Sequence, residues 1–215
     1  HASADYIHWV DFRLSAPVLR SALELDMASQ GGEQPLDWID ILALAAAWRG
    51  GTGVTVADTQ RAAQALRGDT PPERLPGMAG RFFSYYRAAY GAALGGLVGH
   101  FAIRRTDPQT DEAEWIPAYG LKAFSPIAAG YPWSHYPDFG AQRSYGYARP
   151  HLGNDILGAL GTPICAVEGG TVEALGWNRY GGWRIGIRSD DRKRYYYYAH
   201  LRKDTPYAEG LAVGQ

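Results

Sequence analysis

Apolar positions change their rhythm along this chain. Up to about residue 100 they recur at helical spacing. "SAPVLRSALELDMASQGG" (15–32) offers Ser15 as an N-cap and Pro17 in the first turn. It places Val18, Leu19, Ala22, Leu23, Leu25 and Met27 at mostly helical intervals and stops at Gly31-Gly32. "PLDWIDILALAAAWRGG" (35–51) is apolar almost all round, which predicts a buried helix. "VADTQRAAQALRGD" (56–69) predicts a short third helix and "RFFSYYRAAYGAALGGLVGHF" (81–101) a fourth. Gly91, Gly95, Gly96 and Gly99 along the fourth permit close packing at a cost in helix propensity.

Beyond residue 103 the rhythm shortens. "RRTDPQTDEAEW" (104–115) is charged and turn-rich, and reads as a linker or hairpin. After it, Gly, Pro and aromatic residues replace Ala and Leu. "TPICAVEGGTVEALGW", "GGWRIGIRSDDRKRYYYYAHL" and "GLAVGQ" are short apolar or alternating runs between turns, which predicts antiparallel strands. In the first of these, Gly169-Gly170 is expected to separate two strands; in the second, "SDDRKR" forms a hairpin tip. On the strand after that tip, Tyr196, Tyr198 and His200 share one face and Tyr195 and Tyr197 the other. The fold class is therefore α+β. A helical domain (1–102) precedes a linker or hairpin (103–118) and an antiparallel β domain (119–215).

Composition adds little to this and excludes some functions. The chain has 215 residues, 46% of them apolar, with a net charge of -1. That balance argues against a dedicated nucleic-acid binder. The 15 Tyr and 7 Trp are a weak sign of a binding surface. Cys165 is the single cysteine, so no internal disulfide can form, and its apolar run predicts a buried, inert thiol. No apolar run approaches the roughly 20 residues of a membrane-spanning helix.

The candidate chemistry lies in "RPHLGNDILG" (149–158). Pro150, Gly153 and Asn154 disfavour a helix there. In an extended segment residues four apart share a side, so His151 and Asp155 can face one point. Imidazole and carboxylate suit zinc, yet a turn with a solvated Asp and a half-buried His fits the spacing equally. Arg143 and Arg149 flank the motif, either as carboxylate-binding groups or as solvated surface. Asn154 reads as a turn residue, Glu168 as a sheet-surface carboxylate, and His135 as a groove or flap residue with a remote chance of being a ligand.

"HLGND", "GTPICAVEGGTVEALGW" and "YAHL" occur in that order, and from about Tyr119 to Gln215 the chain resembles the lysostaphin-like (LytM-like) zinc metallopeptidase domain. It is most similar to a Gram-positive branch with an N-terminal helical region. The family motif is His-x-Gly-x-Asp before a Gly-rich sheet. The resemblance implies that His151 and Asp155 bind Zn2+, and that His200 sits beside the metal and assists catalysis. Tyr196 and Tyr198 then line a groove or simply pack in the sheet. It implies a peptidoglycan endopeptidase cutting peptide stems or cross-bridges, placed outside the cytoplasm. In the family a third zinc ligand comes from a downstream His-x-His, and no His follows His200 here. The β domain is thus expected to be C-terminally incomplete, with that ligand beyond Gln215. The rival reading is an inactive LytM-like module that binds cell wall or a protein partner. A biotin- or lipoyl-type carrier is a remote third reading, since Lys193 lacks the small-residue setting a modified lysine needs.

Overall fold

The structure, a computed structural model, describes residues 13–138, 140–144, 148–151, 155–203 and 212–213. It divides into two compact units, His1–Lys122 and Ala123–Gln215. The segment "YIHWVDF" (6–12), whose sequence reads as the packing entry to the first helix, lies outside the described residues.

The first unit contains four helices, α1 (Ala16–Ser29), α2 (Trp38–Arg49), α3 (Val56–Leu66) and α4 (Met78–Leu94), with a 3-10 turn at Pro72–Arg74. The all-round apolar pattern of α2 is used as predicted: Ile41, Leu42, Leu44 and the alanines between them are fully buried. Asp37 caps it, accepting from the Ile39 N–H at 2.7 Å, and Gly50 ends it in the left-handed region at φ 63°. Thr55 and Asp58 form a capping box at the start of α3. Ser15 stands at the N-cap of α1 but its side chain caps nothing.

The expected fourth helix is shorter than its pattern. It ends at Leu94, and Val98–Thr106 forms β1, paired antiparallel with β2 (Ala113–Leu121). Gly96 at φ 80° turns the chain where the helix would otherwise continue. The charged segment 104–115 is therefore the distal part of a longer hairpin, and the division between units falls after Lys122. This hairpin is tied to α1 by Tyr119, whose hydroxyl donates to buried Asp26 at 2.8 Å. Asp26 also accepts from the Trp38 N–H at 2.9 Å and the Gln30 amide at 3.0 Å, so its charge is well solvated by protein donors. None of the described helices is long and apolar enough to cross a membrane.

The second unit is built from antiparallel strands. A four-stranded sheet has the order β10-β7-β8-β9, where β7 is Gly170–Asn178, β8 Gly182–Ser189, β9 Tyr195–Leu201 and β10 Ala212–Val213. Two small pairs precede it: β3 (Trp133–Tyr136) with β6 (Asp155–Gly158), and β4 (Gln142–Ser144) with β5 (Ala148–Pro150). The hairpin predicted at "SDDRKR" is present, closed by Ser189 N–H to Arg194 C=O at 3.0 Å. The strand expected in "TPICAVE" is absent; that segment makes a single bridge, Ile127 to Ile164. As a result Cys165, expected to be buried, is exposed. Glu168, expected on the sheet surface, is instead buried and ion-paired to Arg194 at 3.0 Å.

Candidate metal centre

Two strand pairings bring the site together. In the β3–β6 pair, Asp155 lies opposite Tyr136. Beside the β4–β5 pair, the His151 N–H donates to Ala141 C=O at 2.8 Å and the Gly140 N–H to His151 C=O at 2.6 Å. The connection between β3 and β4 carries Asp138, and β4 carries Arg143. Regular backbone pairing thus sets Asp138, Arg143, His151 and Asp155 around one point, although 17 positions separate the first from the last.

The side chains interlock. His151 Nδ1 lies 3.1 Å from Asp138 Oδ2, and His151 Nε2 lies 3.6 Å from Asp155 Oδ1. Arg143 Nη2 donates to Asp155 Oδ2 at 2.9 Å, forms a short ion pair with Asp138, and stands 3.4 Å from His151 Nδ1. The Asp155 backbone N–H donates to Asp138 Oδ1 at 3.2 Å. Burial of Asp138 pushes its carboxyl up, but the Asp155 N–H, His151 and Arg143 outweigh burial and hold it below the usual carboxylate range. Asp138, His151 and Asp155 each offer a ligand atom within 4.8 Å of the others.

The donor set fits zinc. An imidazole nitrogen and a carboxylate oxygen at 3.6 Å are near the roughly 3.3 Å edge expected of two tetrahedral ligands at about 2.0–2.1 Å from the ion. Among the described residues Arg143 is the one cation ion-paired to the two carboxylates, so these three side chains keep a negative charge, which favours a dication.

The contacts of the other predicted site residues are as follows. His200 is exposed at the end of β9, with φ 56° and its N–H donating to Gly181 C=O at 2.7 Å. The register slips between Trp183 and Ile185, so the alternation that grouped His200 with Tyr196 and Tyr198 is broken before it reaches His200. The Tyr198 hydroxyl accepts the Val167 N–H at 2.8 Å and fixes that loop. Tyr196 sits with Glu168 and Arg194; burial, then the Glu168 charge, raise its phenol above the usual range. Both tyrosines thus have partners in the segment just before β7. Arg143, read as surface or substrate-binding, is turned onto Asp138 and Asp155. Arg149 pairs with Arg143 in register along the backbone, but its side chain lies outside the described ones, as does Asn154. His135 is exposed on β3 opposite Ile156, outside the cluster. Asp138 was missed from sequence. Its "YPDFG" context is an ordinary turn, and only the fold brings it to His151.

A histidine and two carboxylates set by antiparallel strands give this α+β protein a group that could hold a metal ion. Residues 149–215 match the model of Peptidase family M23. An L-Ala--D-Glu endopeptidase of Bacillus subtilis (strain 168) is 42% identical over 96 residues. Those residues are 45% of this chain and 28% of that protein, so the chain spans well under half of its relative's length. A solved structure from Ruminococcus gnavus, provisionally assigned as a glycyl-glycine endopeptidase lytM, aligns over 97% of this chain and 71% of its own. The identity there is 22% and the TM-score 0.44.

Proposed function

We propose that the protein is a zinc-dependent peptidoglycan endopeptidase, acting outside the cytoplasm where its substrate lies. The observation that carries this reading is the facing pair His151 Nε2 and Asp155 Oδ1 inside a Peptidase M23 sequence match. The 42% identity to an L-Ala--D-Glu endopeptidase supports a peptide-stem substrate. His151 and Asp155 would hold the ion, and we assign the remaining protein ligand to a downstream His-x-His, following the resemblance. Zinc held there would supply an acidified water and a Lewis acid for the scissile carbonyl. Around it, the chain's own residues orient the site: Arg143 fixes one oxygen of Asp155 and leaves the other free to bind. No described contact gives His200 a proton-transfer role at this cluster.

The break in strand alternation before His200 favours a second reading, a LytM-like module that binds wall or partner without cutting it. The test is zinc content and release of peptides from purified peptidoglycan, for the wild type and for His151→Ala and Asp155→Ala. We expect bound zinc in the wild type, at least a hundredfold weaker binding in either variant, and peptide release that depends on both residues. Zinc binding without release supports the module. Zinc binding unaffected by either substitution sinks the metal-site reading.

A further inference from the structure

We propose that Arg184 anchors a second binding site, which takes a carboxylate of a peptide on the face of the four-stranded sheet that carries Tyr195 and Tyr197. None of its residues belongs to the Asp138–Arg143–His151–Asp155 cluster. That the ligand is a peptide rests on the endopeptidase reading above; that it is a carboxylate does not.

Strand pairing defines this face. Tyr196 and Tyr198 of β9 contact the segment just before β7, so Tyr195 and Tyr197 point to the opposite side. Tyr197 lies opposite Gly186 and Tyr195 opposite Arg188, which puts Gly186, Arg188 and, by alternation, Arg184 on their side. Against β7 the register is regular here, with Gly176 opposite Arg184 and Asn178 opposite Gly182. The positions around Arg184 on its own face are therefore glycines: Gly182 and Gly186 along the strand and Gly176 across it. A Cβ at Gly176 would meet nothing within 4 Å, whereas one at Gly186 would strike the Tyr195 ring that leans over it. Tyr195 and Tyr197 are 41% and 48% exposed. Arg184 thus stands in a gap that is open toward β7 and bordered by two aromatic rings toward β9.

Its neighbours in the β8–β9 hairpin are paired. Arg188 and Arg192 take the two oxygens of Glu173, at 3.1 and 3.4 Å, and Arg194 is held by Glu168 and Asp191. Among the described residues no carboxylate pairs with Arg184, although its side chain is half-buried and its Nε is buried without a hydrogen-bond partner. A guanidinium presents its donors in a planar fork that matches the two oxygens of a carboxylate. A donor left unmade in a half-buried setting is costly, and an anion that brings two acceptors at once relieves it. Glu173 does not serve, since both its oxygens are engaged. A single uncompensated cation matches the one charge of a carboxylate better than the near-double charge of a phosphate monoester. The two tyrosine rings offer apolar area to a short side chain beside that carboxylate.

The test uses the 215-residue chain and small probes: N-acetyl-Ala-Ala with a free C-terminus, its C-terminal amide, and N-acetyl-Glu N-methylamide, whose carboxylate is on a side chain. Binding is read from the Arg184 Nε–H signal in proton–nitrogen correlation spectra and from calorimetry. We expect a carboxylate probe to move that signal and the amide to leave it in place. The two carboxylate probes tell a chain-end source from a side-chain source. Arg184→Gln should weaken probe binding about tenfold or more. Arg184→Lys keeps the charge but loses the fork; it should weaken binding less, and it covers the case in which the first variant fails to fold. His151→Ala should bind the probes as the wild type does, which separates this site from the metal centre. A wild type that binds no zinc but still binds a carboxylate probe at Arg184 removes the zinc reading and spares this one. No movement of the Arg184 signal with either carboxylate, or equal affinity in Arg184→Gln and wild type, overturns the proposal. Inorganic phosphate bound at Arg184 in preference to both carboxylates overturns it as well. A lower melting temperature in Arg184→Gln with unchanged probe affinity overturns it as a purely structural role.

Discussion

In the helical unit a single apolar cluster runs from Val18 through Ile41, Leu42 and Leu44 to Phe83 and Tyr90. In the β unit, Ile127, Val172 and Ile187 are the buried apolar side chains among the described residues. Large aromatic groups there, such as Trp133, Tyr136 and Trp177, are exposed. The difference follows from geometry. A helix like α2 can be apolar on every side and be enclosed by its neighbours. A strand of a two-stranded ribbon offers alternate residues to alternate faces, and a ribbon alone encloses neither face. The helical unit is therefore held mainly by packing, and the β unit to a larger extent by specific polar ties. Those ties include Glu168–Arg194 and the Asp138–Arg143–His151–Asp155 cluster.

This contrast breaks most visibly in the α2 core. Leu42 is fully buried, and Leu42→Ala should cost about 3–4 kcal/mol by leaving a cavity where neighbouring helices cannot collapse. Denaturant unfolding followed by far-UV circular dichroism at the helical signal should show the loss. An effect below 1 kcal/mol would mean that the helical unit does not depend on packing as described.

In the β unit a polar change should matter more than most apolar ones. Arg194 donates to both oxygens of Glu168, at 3.1 and 3.2 Å from Nε and 3.0 Å from Nη2. Removing the carboxylate in Glu168→Ala leaves a largely buried guanidinium poorly matched. The expected cost is about 2 kcal/mol, measured by denaturant unfolding with tyrosine and tryptophan fluorescence. The loss should shrink in the double variant Glu168→Ala/Arg194→Met, because the penalty lies in a guanidinium that keeps Asp191 but has lost Glu168. A double variant no better than the single one would refute that cause.

Sequence patterning revealed the helices because helical periodicity and capping are local. The stop at Gly50, the box at Thr55 and Asp58, and the enclosed α2 all follow from neighbouring residues. It was less informative where pairing decides the outcome. "VGHF" after the fourth helix reads as its continuation, yet pairs with "AYGL" of β2 once Gly96 has turned the chain. His151 and Asp155 were legible because a short motif holds both. Asp138 and the true partners of Arg143 were not, since they depend on two strand pairings formed by residues far apart in sequence. The same dependence hid the fate of His200: alternation along "YYYYAHL" predicts its face, and a slip in register against β8 removes it.

The smallest predicted effect tests a local rule in the helical unit and separates it from the polar ties of the β unit. Asp58 accepts from the Thr55 N–H at 2.9 Å, the Thr55 hydroxyl at 2.7 Å and Arg49 Nε at 3.0 Å. Burial pushes its carboxyl up, but the bonds from Arg49 and Thr55 outweigh burial and hold it below the ordinary value of 3.8. A carboxyl depressed in the folded state contributes stability that is fully present above its unfolded pKa and is lost as pH falls through the folded one. Asp58→Ala should therefore cost about 1 kcal/mol near neutral pH by removing the Asp58 half of the capping box of α3. The gap between variant and wild type should narrow as pH drops below about 4. Unfolding midpoints of the helical signal, measured from pH 7 down to the acid limit of folding, give the comparison. A gap that stays constant with pH would show that Asp58 acts through packing and not through its charge.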